Sequence, residues 1–457
     1  MRKELMEMKQ MRMNYLTNTA TFKNGKLIDT IGDMKKTGRT ILKKGHVVDP
    51  KNDVDSIKDV AVIGDTVVEV ADEIKAEKGD IIVDCSNLLV VPGLIDMHLH
   101  LHDLFEVSSD PIIRGVADGV TMGLSPGAGN TFIAPGLIGA EVDRGVPMNV
   151  GVYLGASNVL STMATTEDLI AFFKGELDPD IAFTKITRNA FSNSTGQLCV
   201  GIKDHMGHFL LSDEHLDAVY RICTEAKMMF MSHTQDPNRA EHVVAMGKGR
   251  QVHLGHADFA GCGTHGDPVE SIQTILELIK KPGVTAEFVT SQLRPGRGSR
   301  ECMYVPEAAQ KIALEALNQG KVKILISDGA NDATLKGAGD TRDDVPCIVE
   351  LADQGILSLK DSVATMTWNV ARHFGDVTGR TEFWHEKIGH LGVGAYANIT
   401  CIDRLDKLAT YTFVNGRIAG FENRTVRRAY DAGRLVTTYG MIANTGIGDL
   451  AMFAYGK

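Results

Sequence analysis

Hydrophobic and polar positions along this chain change rhythm twice. From about residue 21 to residue 92 the apolar residues come in short, half-alternating runs: Thr40-Ile-Leu-Lys-Lys, His46-Val-Val-Asp, Val60-Ala-Val-Ile, Val67-Val-Glu-Val and Asp80-Ile-Ile-Val-Asp. Period-two alternation between Gly, Asn and Asp turn residues predicts the strands of a small β-sandwich. From 93 to 385, apolar runs alternate with longer amphipathic segments such as Glu307 to Gln319 and Asp361 to Phe374. That is the rhythm of repeated βα units, and hence of a parallel barrel. From 386 to 422 strands and turns return, with Ala397-Asn-Ile-Thr-Cys-Ile-Asp and Tyr411-Thr-Phe-Val-Asn-Gly-Arg-Ile. The predicted fold is therefore α/β: a (β/α)8 TIM-like barrel with a small β-sandwich domain built from both chain ends. Residues 1–20 read as a tail or short amphipathic helix. Residues 423–457 read as a tail suited to a subunit interface, with a helix expected around Val426 to Thr438.

Length and charge narrow the function without naming it. At 457 residues the chain is long enough for a large barrel with an accessory domain. A net charge of -10 argues against nucleic acid or an anionic membrane as the main partner, leaving a small molecule as the expected one. Met1 to Asn18 has no apolar core of the kind a signal peptide needs. Seven cysteines without a Cys-x-x-Cys pair suggest reduced thiols, so a cytoplasmic location is expected, and a homo-oligomer with it.

The candidate chemistry begins at Val90-Val91-Pro92-Gly93-Leu94-Ile95-Asp96-Met97-His98-Leu99-His100. An apolar strand ends there in two histidines at i and i+2, which point the same way and can reach one metal ion together. Asp96 is placed to support them from behind. Barrel enzymes gather their reactive groups at the C-terminal ends of strands. Four further runs end in such groups: Leu198 to Lys203, Met228 to His233, Gln251 to His256 and Val322 to Asp328. Each has an ordinary reading, a solvated lysine, a core histidine or a turn aspartate, but the ordered set does not. His102, His205 and His208 compete for the same roles. His253 shares a run with His256, and strand alternation puts the two on opposite faces, so only one is expected to look into the site.

This set resembles the binuclear-metal branch of the amidohydrolase superfamily, which includes hydantoinases, dihydroorotases and isoaspartyl dipeptidases. The resemblance rests on the Pro-Gly-hydrophobic-Asp-x-His-x-His stretch and the strand-end residues that follow it. It implies that His98, His100 and Asp328 hold one ion, that His233 and His256 hold the other, and that Lys203 bridges them as a carbamate. His256 is preferred to His253 because Gly255-His256-Ala257-Asp258 looks like the strand-six ending of phosphotriesterase-like relatives. Two divalent ions are implied, zinc first, with Mn, Fe or Co also compatible with such ligands. The implied reaction is hydrolysis of an amide-type C–N bond, first of all in a cyclic amide or ureide such as a hydantoin, a dihydropyrimidine or a purine-derived ring. A hydroxide shared by the ions would attack, and Asp328 would move the proton. The alternatives are an N-acyl amino acid or dipeptide hydrolase, a purine or pyrimidine deaminase that would not need Lys203, and a scaffold that has lost its metals. In the loops, Arg294, Arg297 and Arg300 after the seventh strand, and Asn331 or Asp332 after the eighth, are the expected substrate contacts.

Overall fold

The computed structural model describes residues 20–23, 26–29, 38–101, 110–127, 130–205, 210–298, 303–329, 339–426, 429 and 431–446. The N-terminal stretch 1–19 and the positions Arg300, Asn331 and Asp332 lie outside them, as do His102 and His208.

Eight parallel strands form the barrel: β1 (Leu94–Asp96), β2 (Val120–Ser125), β3 (Asn149–Gly155), β4 (Gly201–Asp204), β5 (Met229–His233), β6 (Val252–Gly255), β7 (Val284–Val289) and β8 (Ile324–Ile326). Alternation along each strand divides two apolar layers. In β5, Met229 and Met231 fill the barrel interior while Phe230 packs outward under the helices. In β8, Ile324 and Ile326 face inward and Leu325 outward. His233 and Asp328 continue the inward rows by parity.

Two seams in the barrel are filled by other parts of the chain. At the start of β1 and β8 the backbone N–H groups of Ile95 and Leu325 donate to the carbonyls of Met366 (2.7 Å) and Thr365 (3.1 Å). This explains why the amphipathic segment Asp361 to Phe374 is not one helix but two, Leu359–Ala364 and Trp368–Thr378. Carbonyls that would have extended the helix are diverted to the barrel, and backbone acceptors in a buried place must be used somewhere. At the other end β1 and β8 meet through a parallel bridge between Leu99 and Gly329. The second seam lies between β3 and β4, where Leu435–Thr437, hairpinned to Gly440–Ile442, pairs with Val150. The segment expected as a helix around Val426 to Thr438 thus ends in a strand of the barrel sheet, because its apolar residues find a vacant sheet edge.

The second domain is a nine-stranded sheet joined from both sides of the barrel. Leu88–Pro92 pairs parallel with Thr40–Asp49 and antiparallel with Ile399–Asp403. Its core mixes Val47, Val60 and Val67 from the first part with Ile399 and Phe413 from the second. Asn415 and Gly416, both at positive φ (47° and 80°), form the tight turn between Leu408–Val414 and Arg417–Phe421 that an Asn-Gly pair favours. No helix among the described residues is long and apolar enough to cross a membrane. The six described cysteines are all free.

Three buried amides lock the two domains together. Asn149 at the start of β3 donates to Asn398 Oδ1 (3.2 Å) and accepts from Asn415 Nδ2 (2.7 Å) and Arg434 N (3.1 Å). Asn149→Ala strands several of these groups in a place without water, so stability is expected to fall by about 3 kcal/mol. Chemical denaturation of the purified variant measures this, and a midpoint equal to that of the parent would show that the junction does not depend on the network.

Candidate metal centre

The C-terminal mouth of the barrel gathers residues from five strands. Lys203, next to last in β4, is in register with Gly155 of β3 and Met231 of β5, and is only 1% exposed. His98 follows β1, and the Leu99–Gly329 bridge sets His98 and His100 against Asp328. His98 Nε2 and His100 Nε2 lie 3.1 and 3.2 Å from Asp328 Oδ1, and Lys203 Nζ lies 3.1 Å from His98 Nε2. The ring centroids of His98 and His256 are 5.0 Å apart, and those of His233 and His256 are 4.4 Å apart. His98, His256 and Asp328 each offer a ligand atom, all within 4.8 Å of one another. The structure therefore brings His98, His100, Lys203, His233, His256 and Asp328 into one cluster. His205 adds a fifth ring beside them, 5.0 Å from His233.

The backbone at this mouth is strained in two places. His256 (φ 37°) and Asp328 (φ 49°) both sit in the left-handed region, which costs a side-chain-bearing residue about 1 kcal/mol or more. For His256 this overturns the parity expectation. The strand ends at Gly255, and the left-handed turn swings His256 inward although it follows the outward Leu254. His253 faces inward as well, deeper in the barrel, so both histidines look into the interior at different levels.

The electrostatics suit a cation. Burial pushes His233 down to about 3 and His256 well below its ordinary range, with the charge of Lys203 adding to both, so each ring is neutral and keeps a lone pair. His233 Nδ1 and His256 Nδ1 are buried without a hydrogen-bond partner. Burial alone would raise Asp328, but the imidazoles of His98 and His256 outweigh it and hold the carboxylate well below its usual range. An ionised oxygen 3.1 and 3.2 Å from two imidazole nitrogens requires positive charge between them, from protons or from a metal ion. Orphaned nitrogens and crowded acceptors are what a set of metal ligands looks like, and the donor set fits a divalent ion of the zinc type.

A buried layer of carboxylates lies behind these residues. Asp96 accepts from His98 N (3.1 Å) and from the backbone and hydroxyl of Ser327, and burial raises it to about 6. Asp204 accepts from Ser232 Oγ and His233 N, both at 3.0 Å, and burial raises it to about 6. Glu287 in β7, absent from the sequence reading, binds His98 Nδ1 and His253. Burial would raise Glu287, yet His98 and His253 bring it down to about 2. A lone acid inside the apolar run Val284 to Val289 was the available signal, since a buried charge without a partner is rarely tolerated.

Arg294 and Arg297, expected as substrate contacts, stand in ion pairs. Arg294 donates to both oxygens of Glu350 (2.8 and 3.0 Å) and to Asp343, and Arg297 grips both oxygens of Asp343 (2.9 and 3.0 Å). Their guanidinium groups tie the loop after β7 to the elements after β8.

Known proteins give this geometry a context. The model of the Amidohydrolase family matches residues 89–420. A dihydroorotase of a Geobacter species is 24% identical over 413 residues, covering 79% of this chain and 89% of that protein. A dihydroorotase of Geobacter metallireducens is 24% identical over 204 residues, a match that takes in 43% of this chain and only 42% of that protein. Among solved structures, a dihydropyrimidinase from Brevibacillus agri superposes with a TM-score of 0.64 at 16% identity, over 88% of this chain and 99% of that one.

Proposed function

This chain belongs to the amidohydrolase family, and from that premise we propose that it is a metal-dependent hydrolase of an amide-type C–N bond in a cyclic amide or ureide. The observation that carries the reading is the convergence of His98, His100, His233, His256 and Asp328 at the barrel mouth, with the rings of His233 and His256 neutral and Asp328 ionised. Similarity to dihydroorotases and to a dihydropyrimidinase, whose names refer to ring substrates, supports the cyclic choice.

In this proposal His98, His100 and Asp328 would hold one divalent ion and His233 and His256 the other, and Lys203, its amine converted by carbon dioxide to a carbamate, would add an anionic oxygen donor to the set. The ions, zinc first, would supply Lewis acidity toward a substrate carbonyl and toward water. Asp328 takes the proton that water loses as its oxygen bonds to the carbonyl carbon. As the ring C–N bond breaks, Asp328 returns that proton to the departing nitrogen. Asp96 and Asp204 do no chemistry here. They hold the backbones of His98 and His233 in place.

We assign the enzyme to the cytoplasm as a homo-oligomer, with light scattering of the purified protein as the check on assembly. The reaction is tested by loading the protein with zinc and offering hydantoins and dihydropyrimidines, purines, and N-acyl amino acids or dipeptides in parallel. Ring opening of the first group, lost on chelation and restored by zinc, is the expected result. Ammonia release from purines alone would replace the proposal with deamination, and turnover of open-chain amides alone would replace it with the dipeptidase type.

A further inference from the structure

Glu287 lies midway along β7, its neighbours Ala286 and Phe288 packed outward and its own side chain turned into the barrel. Oε1 receives His98 Nδ1 and the backbone N–H of His256 (3.2 Å), and Oε2 receives His253 Nε2 (3.1 Å). The chain of contacts continues away from the mouth. His253 Nδ1 is 2.8 Å from Thr285 Oγ1, which is 3.3 Å from Nε2 of His373 on helix Trp368–Thr378. The rings of His253 and His373 lie 4.8 Å apart. None of these four groups takes part in the reaction described above.

An ionised carboxylate can only accept, so both ring nitrogens that face Glu287 must carry hydrogen. His253 Nδ1 in turn faces the Thr285 hydroxyl, and that oxygen faces His373 Nε2. For His98 this leaves Nε2 as the atom that faces Asp328 and Lys203. A carboxylate and two imidazoles buried where apolar side chains would pack do not owe their place to stability, since desolvation of such groups costs several kcal/mol.

We propose that Glu287 is the positioning residue of the metal centre: its bond to Nδ1 holds His98 in the tautomer whose Nε2 can bind a divalent ion. His253, Thr285 and His373 brace Glu287 from deeper in the barrel. The proposal rests on the metal-centre reading above and concerns a residue outside the ligand set. A carboxylate behind a histidine ligand orients the ring and raises its basicity, and losing it typically costs 10- to 100-fold in metal affinity.

The test uses the full chain with Glu287→Gln, whose amide must turn a donor toward one of the two N–H groups. In metal-free protein, proton–nitrogen correlation spectra of the histidine rings should show His98 protonated at Nδ1 in the parent and lose that state in the variant. Zinc affinity, measured by competition with a chromophoric chelator, should fall about 10- to 100-fold. At saturating zinc kcat should fall while KM stays near the parent value. Thr285→Val, close to the same shape, serves as the second variant should Glu287→Gln fail to fold, with a smaller but measurable loss of zinc affinity expected. A parent His98 with no hydrogen on Nδ1 overturns the proposal, as does parental zinc affinity in Glu287→Gln or, if that variant cannot be made, in Thr285→Val. Because the tautomer is read without metal or substrate, a protein that passes this test yet opens no cyclic amide would overturn the proposed reaction alone.

Discussion

Asp328→Asn is expected to lower kcat by about three to four orders of magnitude, with the fold intact. The substitution keeps the shape of the side chain and removes its charge and its ability to take a proton. Asp328 continues the inward row of Ile324 and Ile326 and is presented by a left-handed backbone that only its neighbours justify. His98 and His256 hold it ionised against the pull of burial, so the variant loses an anion where two imidazole nitrogens crowd within 3.2 Å. Metal content and kcat at saturating zinc must be measured together, since the residue serves as both ligand and base. A variant with full zinc and near-parental kcat would hand the proton transfer to another group.

Much of this centre could be read from the order of residues alone, wherever strand parity holds. Met229, Met231 and His233 share one face, as do Ile324, Ile326 and Asp328, and apolar alternation carries the final polar residue into the barrel. Parity failed at His256 because the strand stops one residue earlier, and a rule about strands says nothing of the turn after them. The ion-pair partners of the arginines after β7 were hidden for a different reason. Arg294 finds Asp343 and Glu350 at separations of 49 and 56 residues, and nothing local announces such partners. The hairpin Leu435–Thr437 and Gly440–Ile442 was hidden likewise: strands of three residues have almost no pattern of their own, and theirs is set by a sheet edge nearly 300 residues upstream. Glu287 was visible as an acid in an apolar run, but its meaning depends on His98, 189 residues before it.

Lys203→Ala is the second large expected effect. The lysine is buried near the end of β4, 3.1 Å from His98 Nε2, and its charge helps depress the neighbouring imidazoles. As an ammonium it would repel divalent ions at the point where they should bind. Reaction of its amine with carbon dioxide turns a positive group into an anionic oxygen donor of the same reach, which removes that conflict. Without the side chain, one anion disappears from the middle of the cluster while the histidines and Asp328 remain. Metal analysis should then find well under the parental content of about two ions per chain, and hydrolysis should drop by orders of magnitude. The space vacated by the side chain is open to a small carboxylate, so acetate or propionate should restore part of both. Circular dichroism separates this outcome from misfolding, since restoration by a small molecule requires a folded barrel. Full metal and full activity in Lys203→Ala without any added acid would eliminate the carbamate bridge and leave Lys203 as a buried amine beside a smaller centre.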